Sequence, residues 1–260
     1  MSEEQQFESE LEIFRKESET ASQFFFGYLA INEVAKHNRG VLTFLNKNAL
    51  LWSTVAGALQ MSALIALHRI FNHRSRHNVD ALLRLVESNT SIFSKQALRR
   101  RKQGNVQKEP GWLTGYIRDA YEPTARDFQR LRALVEKYSK LYQSNYAGLR
   151  NKVYAHMVAS DPSEVQTLVA RTNIHEMQRM FVFLLKLYEA LQELYTNGRK
   201  PVLRARRYSA VRMRNSSSRG SGSDVHVQIA KEFEHVLLEA AAQDHDVADK
   251  RRTKVLLRER

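Results

Sequence analysis

The sequence predicts an all-α fold, a helical bundle, and three observations predict it. Glycine and proline are scarce, 10 and 4 in 260 residues, which removes the turn punctuation that a sandwich or barrel of short strands needs. Apolar residues recur three and four positions apart in one segment after another, the period of a helix buried on one side. Hydrophobic residues make up 43% and charged residues 27%, the balance of a chain that buries a core.

From Glu3 to Leu45 the pattern is helical, with Phe7, Leu11, Phe14, Phe24, Tyr28, Ile31, Val34 and Ala35 in period, and Gly27 and Arg39-Gly40 as expected irregularities. Ala49 to Leu67 carries no charge. Its length would suit a membrane span, but Ser53, Thr54, Gly57, Gln60 and Ser62 interrupt it, so it is expected to be the central core helix of a bundle, without stable membrane insertion. His68, His73 and His77 follow among three arginines that would repel a divalent cation, and they read as a solvated basic helix end, not a metal site.

Asp80 to Glu87 predicts a short helix, and Ser94 caps another that closes on Arg99, Arg100, Arg101 and Lys102. Those four cations suit the negative end of a helix dipole or RNA phosphates. Gly104 to Gly115 marks a loop that would set Trp112 and Tyr116 against the core. Pro123 begins the clearest helix, whose stripe Phe128, Leu131, Leu134, Val135, Tyr138, Leu141 and Tyr142 runs on toward Tyr146, Leu149 and Val153 before Ser160-Asp161-Pro162 stops it. Asn173 caps a last bundle helix that ends at Asn197-Gly198.

Three parts are expected: a bundle over residues 1–200, a basic flexible linker over 201–223 rich in Arg, Ser and Gly, and an amphipathic helical segment over 224–260 that must dock on the body or on a second chain. The net charge is +13, and residues 1–200 hold 28 basic against 20 acidic residues, so the body itself is basic. A polyanionic partner follows, with RNA as the leading choice. Without cysteine there are no disulfides, thiolate metal ligands or cysteine nucleophiles, and no cofactor or metal is expected. The N-terminal residues are acidic where a signal peptide is basic and then apolar, so the expected location is cytoplasmic.

The stretch that carries chemistry is Leu149-Arg150-Asn151-Lys152-Val153-Tyr154-Ala155-His156-Met157. RNA cleavage without a metal needs a base for the 2′-hydroxyl proton, an acid for the leaving oxygen and a cation for the charge that develops on phosphorus. Histidine suits proton transfer, arginine is a permanent forked phosphate donor, and Asn151 can orient either. Lys152 adds a cation for RNA. On a straight α-helix Arg150 and His156 stand about 120° apart and roughly 9 Å along the axis, too far to act together. Either the helix breaks near Ala155, or the same motif of a second protomer completes the site across a two-fold axis.

These residues resemble the Arg-x(4 to 6)-His motif of the HEPN superfamily, with its polar residue directly after the arginine. The nearly uncharged helix ending in Leu67-His68-Arg69-Ile70-Phe71, followed by a helix ending on the motif, resembles the AbiU-type branch associated with abortive infection, over about residues 5 to 198. The resemblance implies an antiparallel HEPN-like bundle, a homodimer, and a composite metal-independent ribonuclease site of Arg150, Asn151 and His156, with RNA as substrate and an antitoxin or other defence-system protein as partner. Some HEPN toxins carry a modifiable tyrosine two residues after the histidine; here that position is Val158. The alternative is a non-catalytic RNA-binding or scaffold protein, in which the same residues only hold an interface together. A third reading attaches the basic tail to an anionic membrane.

Overall fold

A computed structural model describes residues 1–106, 108–155, 162–203 and 225–258 of the chain, and among these every regular element is helical. The elements are α1 (Glu3–His37), α2 (Arg39–Lys47), α3 (Ala49–Phe71), α4 (Val79–Ser88), a 3-10 turn (Thr90–Phe93), α5 (Lys95–Gln103), α6 (Leu113–Asp119), α7 (Ala125–Asn145), α8 (Ala147–Leu149), a π-helix (Arg150–Ala155), α9 (Pro162–Ala170), α10 (Ile174–Asn197) and α11 (Val225–Arg258). Several boundaries are written in side chains. Asn38, Asn78, Ser94 and Asn173 each accept a hydrogen bond from the first turn of the helix they precede, satisfying donors that have no partner within the helix.

The chain divides into two compact units, one of residues 1–18 and 65–208, the other of 19–64 and 209–260. In the first, Phe7 meets Phe93 and Tyr195 with ring centroids 5.1 and 4.9 Å apart, and Phe93 meets Phe128 at 5.6 Å. Phe181, Leu184, Leu187 and Leu191 of α10 and Leu131 and Val135 of α7 are buried in the same unit. Each such side chain contributes about 1.5–3 kcal/mol relative to exposure. Arg132 is held by Asp80 at 2.7 Å and Glu87 at 2.6 Å, an ion-paired link between α7 and α4.

In the second unit α11 packs on α2: Leu237 is fully buried with Ile31, Val34, Val41 and Leu45, and Lys47 pairs with Asp244 at 2.6 Å. The amphipathic C-terminal segment therefore docks within its own chain, as a single helix through Arg258. The expected linker, apart from residues 201–203, lies outside the described residues.

Three expectations need correction. Gly27 does not interrupt α1; it lies where the Phe233 ring comes so close that a β-carbon would stand 2.7 Å from it. Trp112 is 56% exposed rather than set into the core, while Tyr116 does pack beside Leu98, Leu113 and Ile117. And α3 is not a core helix along its length. Among the described residues it is the helix long and apolar enough to cross a membrane, yet only 22% of its most apolar window is buried. Leu50 is 83% and Leu51 58% exposed, whereas Ala63, Leu64, Ala66, Leu67, Ile70 and Phe71 are buried. Lack of charge is uniform from Ala49 to Leu67, but the packing that covers the run is not.

Gly198 ends α10 in the left-handed conformation, φ 59°, and a β-carbon there would lie 2.6 Å from Leu98 and 2.9 Å from Ala120. The variant Gly198→Ala is expected to lose at least the roughly 1–2 kcal/mol that a left-handed backbone costs an L-residue, measured by chemical denaturation; an unchanged midpoint would contradict this placement.

Candidate functional site

Helix α7 delivers the motif. It starts on a capping box, Thr124 with Asp127, whose carboxylate accepts from the Thr124 backbone at 2.9 Å and from the Tyr121 hydroxyl at 2.7 Å. Its buried stripe of Phe128, Leu131, Val135, Ser139 and Tyr142 fixes its rotation. The predicted stripe is thus present, but the helix does not continue to Ser160. It ends at Asn145, where Tyr146 takes a non-helical conformation, and the buried Tyr146 hydroxyl donates to the Asn173 carbonyl at 2.8 Å and accepts from the Asn173 amide at 3.1 Å. Burial lifts this phenol to about 12, so it stays protonated. Asn145 adds a bond to Glu176 at 3.1 Å. The end of α7 is latched to the start of α10.

After the single turn of α8 the backbone changes to a π-helix at Arg150. A helix break near Ala155 is one of the two alternatives the spacing leaves open; the departure from regular α-helix found here begins at Arg150. A π segment bonds i to i+5 and winds more widely than an α-helix, and such segments concentrate at functional positions. The 120° separation of a straight α-helix therefore does not describe Arg150 and the residues after it. Arg150 donates from Nη1 to Asn151 Oδ1 at 2.8 Å. Its guanidinium Nε is enclosed and without a hydrogen-bond partner among the described residues. Lys152 is turned outward and pairs with Glu164 of α9 at 2.6 Å. His156 lies outside the described residues.

Two side chains that the sequence reading did not assign to the site lie within reach of the Arg150 charge. Tyr142 is fully buried, with Phe71 stacked on it at 5.6 Å and the His68 ring 6.2 Å away. His68 is not part of a solvated helix end: its Nδ1 is enclosed, and burial, reinforced by the Arg150 charge, lowers its pKa below the ordinary 6.5. The signal was in the letters, since Leu64, His68 and Phe71 are spaced i, i+4 and i+7 on one helical face. Burial raises the Tyr142 phenol, with Arg150 acting against it. Neither ring is ionised near neutrality.

The basic cluster of α5 is engaged by the protein itself. Arg99 pairs with Glu109 at 2.9 Å, Arg100 with Glu4 at 2.7 Å, and Lys102 bonds Asn197 at 3.0 Å. Arg101 donates to the carbonyls of Ile92 and Tyr195, pairs with Glu4, and lies 3.9 Å above the Tyr195 ring. Arg100, with 72% of its side chain exposed, is the member most open to solvent, whereas Arg101 is only 16% exposed. Among the described residues no group of three or more His, Asp or Glu side chains is placed to hold a metal ion.

Among the described residues the chain is thus all-α, with Arg150 and Asn151 side by side in a π-helix that follows α7 and α8. The chain matches the AbiU2 family of HEPN domains over residues 4–217, and it belongs to that family. No curated protein and no solved structure matches it.

Because native His68 resists protonation while the unfolded residue accepts a proton near pH 6.5, the unfolded chain binds more protons below that pH and stability falls as the pH drops through it. The denaturation midpoint is expected to fall between about pH 8 and about pH 5, and the fall to be shallower in His68→Asn; equal slopes in the two proteins would contradict a buried neutral His68.

Proposed function

We propose that the chain is a metal-independent HEPN endoribonuclease, a toxin or anti-phage effector of abortive infection. What supports the reading is membership of the AbiU2 HEPN family joined to the local geometry of the motif, with Arg150 and Asn151 hydrogen-bonded to each other at the head of a π-helix. His156 takes the proton of the RNA 2′-hydroxyl, whose oxygen then attacks the adjacent phosphorus. The 5′-oxygen leaves with a proton from a second acid, and Arg150 offsets the charge that builds on the phosphoryl oxygens. Asn151 orients the guanidinium.

A single His156 serves as base or as acid in one step, not both, so a second copy of the motif across a homodimer axis supplies the other. Lys152 and exposed Arg100 add phosphate contacts that position RNA without reading its sequence. The catalytic body is the bundle of residues 1–200, and the location is the cytoplasm, where RNA is available and no membrane insertion is needed. With Val158 in place of a tyrosine after the motif, a neutralising partner acts by binding and not by modifying that position.

Purified wild type and His156→Ala are incubated with total RNA in EDTA. Cleavage by the wild type and a loss of at least about a hundredfold in the variant are expected, with a similar loss in Arg150→Ala. Equal cleavage by wild type and His156→Ala, or none by either, overturns the assignment.

A further inference from the structure

Tryptophan is highly buried on average in folded chains, yet Trp112 is 56% exposed. The ring is nonetheless held in place. Trp112 precedes the first residue of α6, and its carbonyl accepts from the Tyr116 amide at 3.1 Å, closing the first turn. The two rings meet edge-on, with centroids 5.7 Å apart and an interplanar angle of 90°, and the Tyr116 hydroxyl donates to the Asn197 carbonyl at 3.0 Å. Leu113 and Ile117 of the same helix are buried with Leu98 of α5. An edge-on contact with Tyr116 takes up at most one face of the indole, so a flat partner can stack on the exposed ring without first ordering it.

The surroundings decide what kind of partner that is. From Lys95 to Asp119, the start of α5 to the end of α6, the chain carries seven cations and two acids. Both acids are already engaged: Glu109 pairs with Arg99 at 2.9 Å and accepts from the Thr114 hydroxyl at 2.7 Å, and Asp119 pairs with Arg118 at 3.1 Å. Lys102 Nζ lies 5.5 Å from the centre of the Tyr116 ring, the ring that touches Trp112. Lys108, four positions before Trp112, is exposed and has no ion pair among the described residues. A tryptophan that anchors a protein partner sits within apolar contacts that exclude water. Here the exposed residues within four positions of Trp112 are Lys108, Gly111 and Thr114, none of them apolar in side chain. A single nucleic-acid strand asks for the combination present, an aromatic face for a base and cations for the phosphates beside it. A duplex keeps its bases paired and stacked, and offers the ring no free face.

We propose that Trp112 is a stacking platform for one unpaired RNA base, with Lys102 and Lys108 placed for the phosphates that flank it. That the strand is RNA rests on the ribonuclease reading above; the stacking of an unpaired base does not. A nuclease that holds its substrate through an unpaired base favours loops and single strands over duplex, a selectivity that Arg150 and Asn151 do not carry by themselves.

The test uses the full chain and a short fluorescein-labelled 2′-O-methyl oligouridylate, which lacks the attacking hydroxyl, so that binding is read apart from cleavage. Trp52 and Trp112 are the two tryptophans of the chain, and in Trp52→Phe the tryptophan emission belongs to Trp112. Saturation with the oligonucleotide is expected to quench that emission. Trp112→Ala is expected to bind about tenfold more weakly, with most of the affinity kept in Trp112→Phe, which retains a ring. Lys108→Ala is expected to weaken binding and to reduce the salt slope by about one. A 2′-O-methyl duplex of the same length is expected to leave the emission unquenched and to bind wild type and Trp112→Ala alike. Because the side chain is exposed, the Tm of Trp112→Ala is expected to stay close to that of the wild type, which separates lost binding from lost folding. No binding by the wild type, equal affinity of wild type and Trp112→Ala for the single strand, an equal loss on single strand and duplex, or unquenched emission in Trp52→Phe overturns the platform; equal affinity would leave the ring to a protein partner. Binding in the predicted order by a wild type that fails to cleave unmodified RNA supports the platform while the ribonuclease reading falls.

Discussion

The ring of Tyr142 is the contact on which the placement of the motif depends. It is fully buried, stacked on Phe71 and adjacent to His68, both from the end of α3, and it is followed one helical turn later by Tyr146, whose hydroxyl holds Asn173 at the start of α10. Eight residues after Tyr142 comes Arg150. Removing the Tyr142 ring would open a cavity between two helix ends at a cost of about 3–5 kcal/mol, typical of a large aromatic truncated in a core. Arg150 and Asn151 take their place from this packing, since α7 itself stops at Asn145 and only one turn of helix separates it from the π segment.

Electrostatics divides the basic residues into two groups. Arg101, Arg99 and Arg132 are matched by carboxylates, and Arg101 also by carbonyls and an aromatic face, so part of the positive charge of this basic chain serves its own architecture. Arg150 differs in being partly enclosed with an amide as its partner and no acid among the described residues. A net charge of +13 therefore says little about where RNA would lie; a partly enclosed guanidinium with no carboxylate partner among the described residues says more, because enclosure strengthens its attraction for an anion.

The all-α class and many of the helix boundaries were legible because they rest on local chemistry. Asn78, Ser94 and Asn173 cap helices by bonds within three residues, and Gly198 ends α10 with a left-handed φ that glycine adopts most readily. Arg150 and Asn151 could be named for the same reason, being neighbours in a short motif. What tertiary packing decides was not legible. The uncharged run from Ala49 does not say that its first half is exposed and its second half buried, and the stripe through Tyr142 does not say that the helix stops at Asn145 and gives way to a π-helix at Arg150. His68 was masked by the arginines around it, though its spacing from Leu64 and Phe71 put it on the buried face.

If two copies of the motif face each other in one site, a dimer with a single intact His156 cannot supply both a base and an acid. The most direct measurement is RNA cleavage by an equimolar mixture of wild type and His156→Ala after subunits have exchanged. Random pairing with a shared site predicts about a quarter of the wild-type activity at equal total protein, because only dimers with two intact copies cleave. Activity of about one half, falling in simple proportion to the wild-type fraction, would mean that each chain acts alone and would contradict a composite site.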